Sequence, residues 1–211
     1  MAWLFKPQTI KEYQRYRKAG RSLNQKIIDA YINGGILEKS ATMLRLGQNG
    51  QLILDREDDL SVLMDFALYE IRNEEWKNSV ERYAREKGAV NAIERELLGA
   101  MVKARTGLFK VNRVLREKRQ IMLVDLINPE LMVILTDINF SQTLREKLIV
   151  FLRPVCVAKI TMTSGVAFVF PTALEQELVR RWKGFERKGD AQRYAWFFRK
   201  SKQSGLETVY A

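Results

Sequence analysis

The stretch from about Leu108 to Pro171 limits what this chain can fold into more than any other. It contains LFKVNRVLRE, QIMLVDLI, LMVILTD, KLIVFLRPVCVA, KITMTS and VAFVF, runs rich in β-branched and aromatic residues and cut by turn signals. Five or six short strands within about 65 residues fit a compact antiparallel sheet or a small barrel. Asn128-Pro129-Glu130 is the clearest punctuation, because proline lacks a backbone donor and drives Asn128 towards an extended conformation. The flanking runs then pair as a hairpin with Ile127 near Leu131. In that register Ile121, Leu123, Asp125 and Ile127 share a face with Leu131, Val133, Leu135 and Asp137. Met122, Val124, Leu126, Met132 and Ile134 share the other. Both faces are apolar, so each needs cover: a barrel interior on one side, a helix or a second subunit on the other.

Ser164-Gly165 predicts a second tight turn, joining KITMT to VAFVF, since glycine takes the positive φ that hairpin turns need. Pro154 predicts an edge strand or a bulge. The slipped alternation at Arg113-Val114 predicts a bulge or bend in the first strand. The polar segment Asn139 to Lys147 reads as a loop.

The residues before the sheet read as helical. Thr9 and Glu12 have capping-box spacing after Pro7, which starts a helix ending by Gly20; Ser22 and Gln25 repeat the spacing and open a second, ended by Gly34-Gly35. A third runs from Ile36 to Leu46, and Asn49-Gly50 turns into the extended QLILD. Glycine-linked short helices invite a helix-turn-helix reading. The residues after Gly47 are extended and then acidic, which phosphate would repel, so ordinary helical packing is preferred. Asp55, Glu57, Asp58 and Asp59 could offer oxygen ligands to a divalent cation, but they lack calcium-loop spacing and read better as helix N-terminal caps. Three further helices follow: Asp59 to Arg72, with Leu60, Leu63 and Phe66 inward; Asn73 to Lys87, with Trp76, Val80 and Tyr83 inward; and Ala89 to Thr106.

The chain of 211 residues carries a net charge of +11, one cysteine and no histidine. The balance is +6 over residues 1–50, −3 over 51–106, and +4 over each of 107–171 and 172–211. Such a distribution fits intramolecular pairing, nucleic acid or an acidic protein partner. The absence of histidine removes His-dependent triads, the usual zinc and non-haem iron sites, and imidazole acid–base catalysis. Apolar runs of about five residues fall far short of the ~20 that cross a bilayer. MAWLFKP has no secretory character, and a single cysteine excludes an internal disulfide, so the expected location is cytoplasmic, with no membrane partner.

After Pro171, Arg180, Arg181, Lys183, Arg187, Lys188 and Arg193 interleave with Trp182, Phe185, Tyr194, Trp196, Phe197 and Phe198. Cations among rings could bind single-stranded nucleic acid. The same residues at helical spacing also describe an amphipathic helix packed on the sheet, and that reading is preferred.

Other chemistry has little support. There is no glycine-rich phosphate loop. Asp125 and Asp137 fall about 13 Å apart in the hairpin, too far for a two-carboxylate glycosidase. Ser164 would need Lys159 or another lysine as its base. Cys156 inside VCVA reads as a buried, inert thiol.

The sequence therefore predicts an α+β protein. Residues 1–106 form a helical region, 107–171 a small antiparallel sheet or barrel, and 172–211 a helical segment closing over it. No cofactor or metal is implied. The leading function is a non-enzymatic binding or adaptor protein for an acidic protein surface, with a homodimer expected from the apolar hairpin. The alternatives are nucleic-acid binding through Arg180, Arg181, Lys183, Arg187, Lys188, Arg193 and Trp196, and a histidine-independent enzyme.

Overall fold

The computed structural model describes residues 8–48 and 51–206. The expectations for MAWLFKP and for a turn at Asn49-Gly50 fall outside those residues.

The centre is a closed five-stranded barrel, built from β3 (Gly107–Leu115), β4 (Gln120–Asp125), β5 (Met132–Thr136), β6 (Ile149–Val157) and β7 (Ile160–Phe170) in the order β3-β4-β5-β7-β6. Ahead of it come α1 (Gln8–Tyr31), α2 (Gly34–Leu44), the small pair β1 (Gly47–Gln48) and β2 (Gln51–Leu52), α3 (Asp59–Tyr69), α4 (Ser79–Glu86) and α5 (Ala92–Lys103). A one-turn α6 (Phe140–Thr143) interrupts the barrel, and α7 (Glu175–Gly184) and α8 (Asp190–Ser204) follow it. This is a mixed α+β fold with helices packed on a small barrel. Among the described residues no helix is long and apolar enough to cross a membrane.

Strand alternation explains the layering. Phe109, Val111, Ile121, Leu123, Leu135, Val150, Leu152, Ala167 and Val169 fill the barrel, with Phe140 and Leu144 packed into the same cluster. The intervening Leu108, Ile149, Phe151, Val166, Phe168 and Phe170 face outward onto α2, α3, α7 and α8. At the far end of the β6–β7 hairpin, Val155, Val157, Ile160 and Met162 pack on α1, α4 and α5.

Two bulges shape the barrel. The β3–β4 register shifts between Val111 and Arg113, as the slipped alternation predicts. The β6–β7 register shifts between Leu152 and Pro154, so the proline sits at a bulge as its missing N–H requires. Ser164-Gly165 does not turn the chain. β7 runs through it, with Leu152 opposite Ala167 and Pro154 opposite Thr163, and the hairpin turns instead at Ala158-Lys159, where Ala158 has φ 51°. Gly165, at φ 128°, serves the bulge rather than a turn. One pairing is parallel, the bridge of Leu135 to Thr161 that closes the barrel.

The hairpin of β4 and β5 has the expected faces, but Ile121 pairs with Leu135 rather than Asp137. This register, shifted by two residues, sets Asp125 opposite Leu131 and leaves a longer loop than expected. Asp125 accepts the backbone N–H groups of Ile127 (2.7 Å) and Asn128 (3.0 Å), which tightens the turn. The inner face is buried, whereas Met132 and Ile134 on the outer face are 55% and 50% exposed on the single chain.

Several helix boundaries differ from expectation. α1 continues through Gly20 and Ser22, because the stripe Tyr13, Tyr16, Leu23 and Ile27 is buried along its whole length. That burial outweighs the ~1 kcal/mol that a mid-helix glycine costs. Gly34 and Gly35 open α2 rather than ending the helix before it, with Asn33 accepting the Ile36 N–H. Leu60 is exposed and Val62 takes the inward position. α4 starts at Ser79, not Asn73, because Asn78 and Glu81 form a capping box there. The expected loop from Asn139 contains α6, whose Phe140 is buried. Cys156 is exposed, not buried, at 3.5 Å from the Thr161 hydroxyl.

A buried ion cluster joins the layers. Arg153, at the β6 bulge, pairs with Glu70 and lies 3.7 Å from Asp65, with its guanidinium 4.1 Å from the centre of the Tyr69 ring. Burial works against the Arg153 charge, but the two carboxylates outweigh it and hold the guanidinium protonated. Glu70 is different: its burial outweighs the pull of Arg153 and raises its carboxyl above the ordinary value of 4.5.

Arg153→Met is expected to cost about 3–5 kcal/mol in urea unfolding, because it leaves buried carboxylates without their cation. Glu70→Gln keeps an oxygen acceptor and should cost less. Folded Glu70 holds its proton more tightly than the unfolded chain does. The stability this contributes is full below pH 4.5 and is lost as pH rises through the raised folded value. Across that window the stability difference should therefore move in favour of Glu70→Gln. Cys156 should react fully with a thiol reagent in the absence of denaturant.

Candidate functional site

α7 meets the barrel through its inward side. Leu178 is buried, and the Trp182 ring lies 6.0 Å from both Phe151 and Phe197. Arg180 is two residues on from Leu178, hence on the opposite side, and Lys183 follows it by three. Arg180, Arg181 and Lys183 on α7, with Arg187 and Lys188 in the turn that follows, are all exposed. None of the five forms an ion pair with a described residue: Glu175 is taken by Lys110 at 2.8 Å and Glu177 by Lys200 at 3.0 Å.

The other two members of the expected set are held in packing. Arg193 pairs with Asp190 at 2.9 Å and lies 4.3 Å over the Trp182 ring, with its side chain only 12% exposed. Trp196 stands edge-on to Phe197 at 5.1 Å, lies 6.2 Å from Phe185 and carries Arg181 at 5.6 Å. These half-buried rings clamp α7 to α8, and their faces are covered in part by Arg181 and Arg193.

Lys188 also lines a cleft of about 650 Å³, whose other walls include Lys39, Met43, Ile71, Glu74 and Trp76. Trp76 is 79% exposed at φ 59°, a left-handed backbone that costs a bulky residue about 1–3 kcal/mol. Its loop is braced against that strain. Asn73 Oδ1 accepts the N–H groups of Glu75 (3.1 Å) and Lys77 (2.9 Å), and Asn73 N donates to Lys77 O at 3.0 Å. Arg72 donates to Trp76 O at 2.6 Å and pairs with Glu81 at 3.1 Å. Sequence periodicity placed Trp76 inside a helix. The spacing of Asn78 and Glu81, a capping box in its own right, was the signal that Trp76 lies before the helix.

A second cleft, of about 450 Å³, lies between α1 and the barrel and is lined by Tyr13, Arg17, Arg21, Asp137, Ser164 and Gly165. Arg17 is fully engaged there, donating to Thr163 O (2.8 Å), Thr163 Oγ1 (3.1 Å) and Asp137 Oδ2 (3.3 Å). Asp137 also accepts the Phe140 N–H at 2.9 Å. Asp125 and Asp137 thus serve turns and an ion pair. Ser164 borders this cleft, whereas Lys159 occupies the hairpin turn just before β7.

Two of the four acidic residues at the start of α3, Asp55 and Asp59, are held within the fold. Asp59 accepts the N–H groups of Asp55 and Arg56, and Lys202 of α8 reaches Asp59 at 2.7 Å and Asp55 at 3.1 Å. Among the described residues no group of three His, Cys, Asp or Glu side chains is placed to hold a metal ion.

No curated protein and no solved structure matches the chain. A family model does match, over residues 7–211, and with nearly all of the sequence covered the chain belongs to the Family of unknown function (DUF7986).

Proposed function

We propose that this protein is a non-enzymatic binding module that recognises an acidic protein surface through the outer side of α7 and the turn after it. The observation that carries this reading is the division of labour in the C-terminal segment. Arg180, Arg181, Lys183, Arg187 and Lys188 are exposed without ion pairs to described residues, while Trp182 and Trp196 are half-buried against the aromatic cluster. Exposed cations steer an acidic partner and set its orientation. Single-stranded nucleic acid would also want free ring faces for stacking, and this surface offers few. An exposed thiol at Cys156 suits a reducing compartment, and we place the protein in the cytoplasm on that ground.

The apolar outer face of β5 supports a second association. Met132 and Ile134 are both at least half exposed, and a homodimer would cover them. Light scattering at micromolar concentration should give twice the chain mass, and Ile134→Lys should return it to one.

Fluorescence anisotropy with labelled polyglutamate and with single- and double-stranded oligonucleotides, over a salt series, tests the acidic-partner reading. Polyglutamate should bind, and Arg180→Glu combined with Arg187→Glu should weaken it roughly tenfold. Both residues are exposed, so the variant should keep the wild-type unfolding midpoint. Tighter oligonucleotide binding that falls steeply with salt would favour the nucleic-acid reading instead.

A further inference from the structure

The Trp76 cleft adds what the basic face lacks, an exposed ring beside a cavity. A tryptophan left 79% exposed by a loop that is hydrogen-bonded at both ends is held ready for contact, since tryptophan is among the residues most often dominant in binding surfaces. The cleft beside it has the size of a ligand site and an apolar part formed by Met43 and Ile71. Its charge is uneven. Of the lining carboxylates, Glu70 is paired with Arg153 and Asp190 with Arg193, which leaves Glu74 without an ion pair to a described residue. Lys39 and Lys188 are both exposed and likewise unpaired among the described residues. Lys188 belongs both to this wall and to the basic face, so a chain leaving the cleft passes directly onto Arg187 and α7.

We infer that this cleft seats a short acidic peptide segment bearing an aromatic residue, its ring against Trp76 and its flanking carboxylates on Lys39 and Lys188. The inference rests on the acidic-partner reading above and specifies which feature of the partner is recognised. The partner ring gains an offset or edge contact with the indole, and charge-assisted hydrogen bonds to the two ammonium groups fix its direction.

The test uses the full chain and two labelled peptides, glutamates around a central phenylalanine and the same peptide with alanine in its place. The phenylalanine peptide should bind about tenfold more tightly. Trp76→Ala should reduce it to the level of the alanine peptide and leave the alanine peptide unchanged, while Trp76→Phe restores most of the difference. Lys39→Ala should weaken both. Because Trp76 and Lys39 are exposed, circular dichroism and the unfolding midpoint should not move. Equal binding of the two peptides by the wild-type chain, or a Trp76→Ala variant that still separates them, overturns the cleft assignment and leaves the acidic-partner reading standing. Binding of neither peptide at low salt overturns both.

Discussion

The buried guanidinium of Arg153 is the contact on which the arrangement of layers depends. It projects from the β6 bulge between two helical layers, one built on α1, α4 and α5 and the other on α2, α3, α7 and α8. Its partners Asp65 and Glu70 lie on and just beyond the end of α3, and Tyr69 supplies a ring face at 4.1 Å. An ion cluster of this kind is costly to desolvate, so its value lies in orientation rather than in net stability. A helix packed by apolar contacts alone could slide along a barrel. One tied to a fixed cation by two carboxylates has a single register.

That register sets up the surface. With α3 fixed, Phe66 meets Tyr194 of α8 at 5.3 Å, and Tyr194 meets Phe151 and Phe168 of the barrel edge-on. Phe151 stacks on Phe197 at 4.5 Å, and Trp182 closes the cluster from α7. The aromatic side of the C-terminal helices is therefore committed inward, which turns Arg180 and Lys183 to solvent. The chain end of α3 leads through the braced loop that carries Trp76, and so the cleft lies beside the basic turn at Lys188. Fold and candidate surface follow from the same contact.

Much of the architecture was legible in the residues themselves. Strand content, the turn at Asn128-Pro129, the bulges near Arg113 and at Pro154, and the inward face of the C-terminal helices all follow from local chemistry that does not depend on neighbours. Glycine was a poorer guide. Gly20, Gly34 and Gly165 each tolerate a break without requiring one, and none ends an element: α1 runs through Gly20, Gly34 opens α2 and β7 runs through Gly165. Cys156 and Trp76 depend on context in different ways. Cys156 sits in an apolar run whose covered members are decided by what packs against them, and Trp76 has helical spacing but lies before the helix that Asn78 caps.

The sequence alone determined the class of fold, the absence of imidazole chemistry and the placing of positive charge at both ends of the chain around an acidic middle, because composition and short-range periodicity are sufficient for these. Only the tertiary structure decided that Arg153 is a buried hub, that the C-terminal rings are engaged in packing while five of the cations stay exposed, and that Trp76 is presented beside a cleft. Those are relations between residues far apart in the chain, such as Arg153 with Glu70 and Lys39 with Lys188, and no local pattern encodes the distance between them.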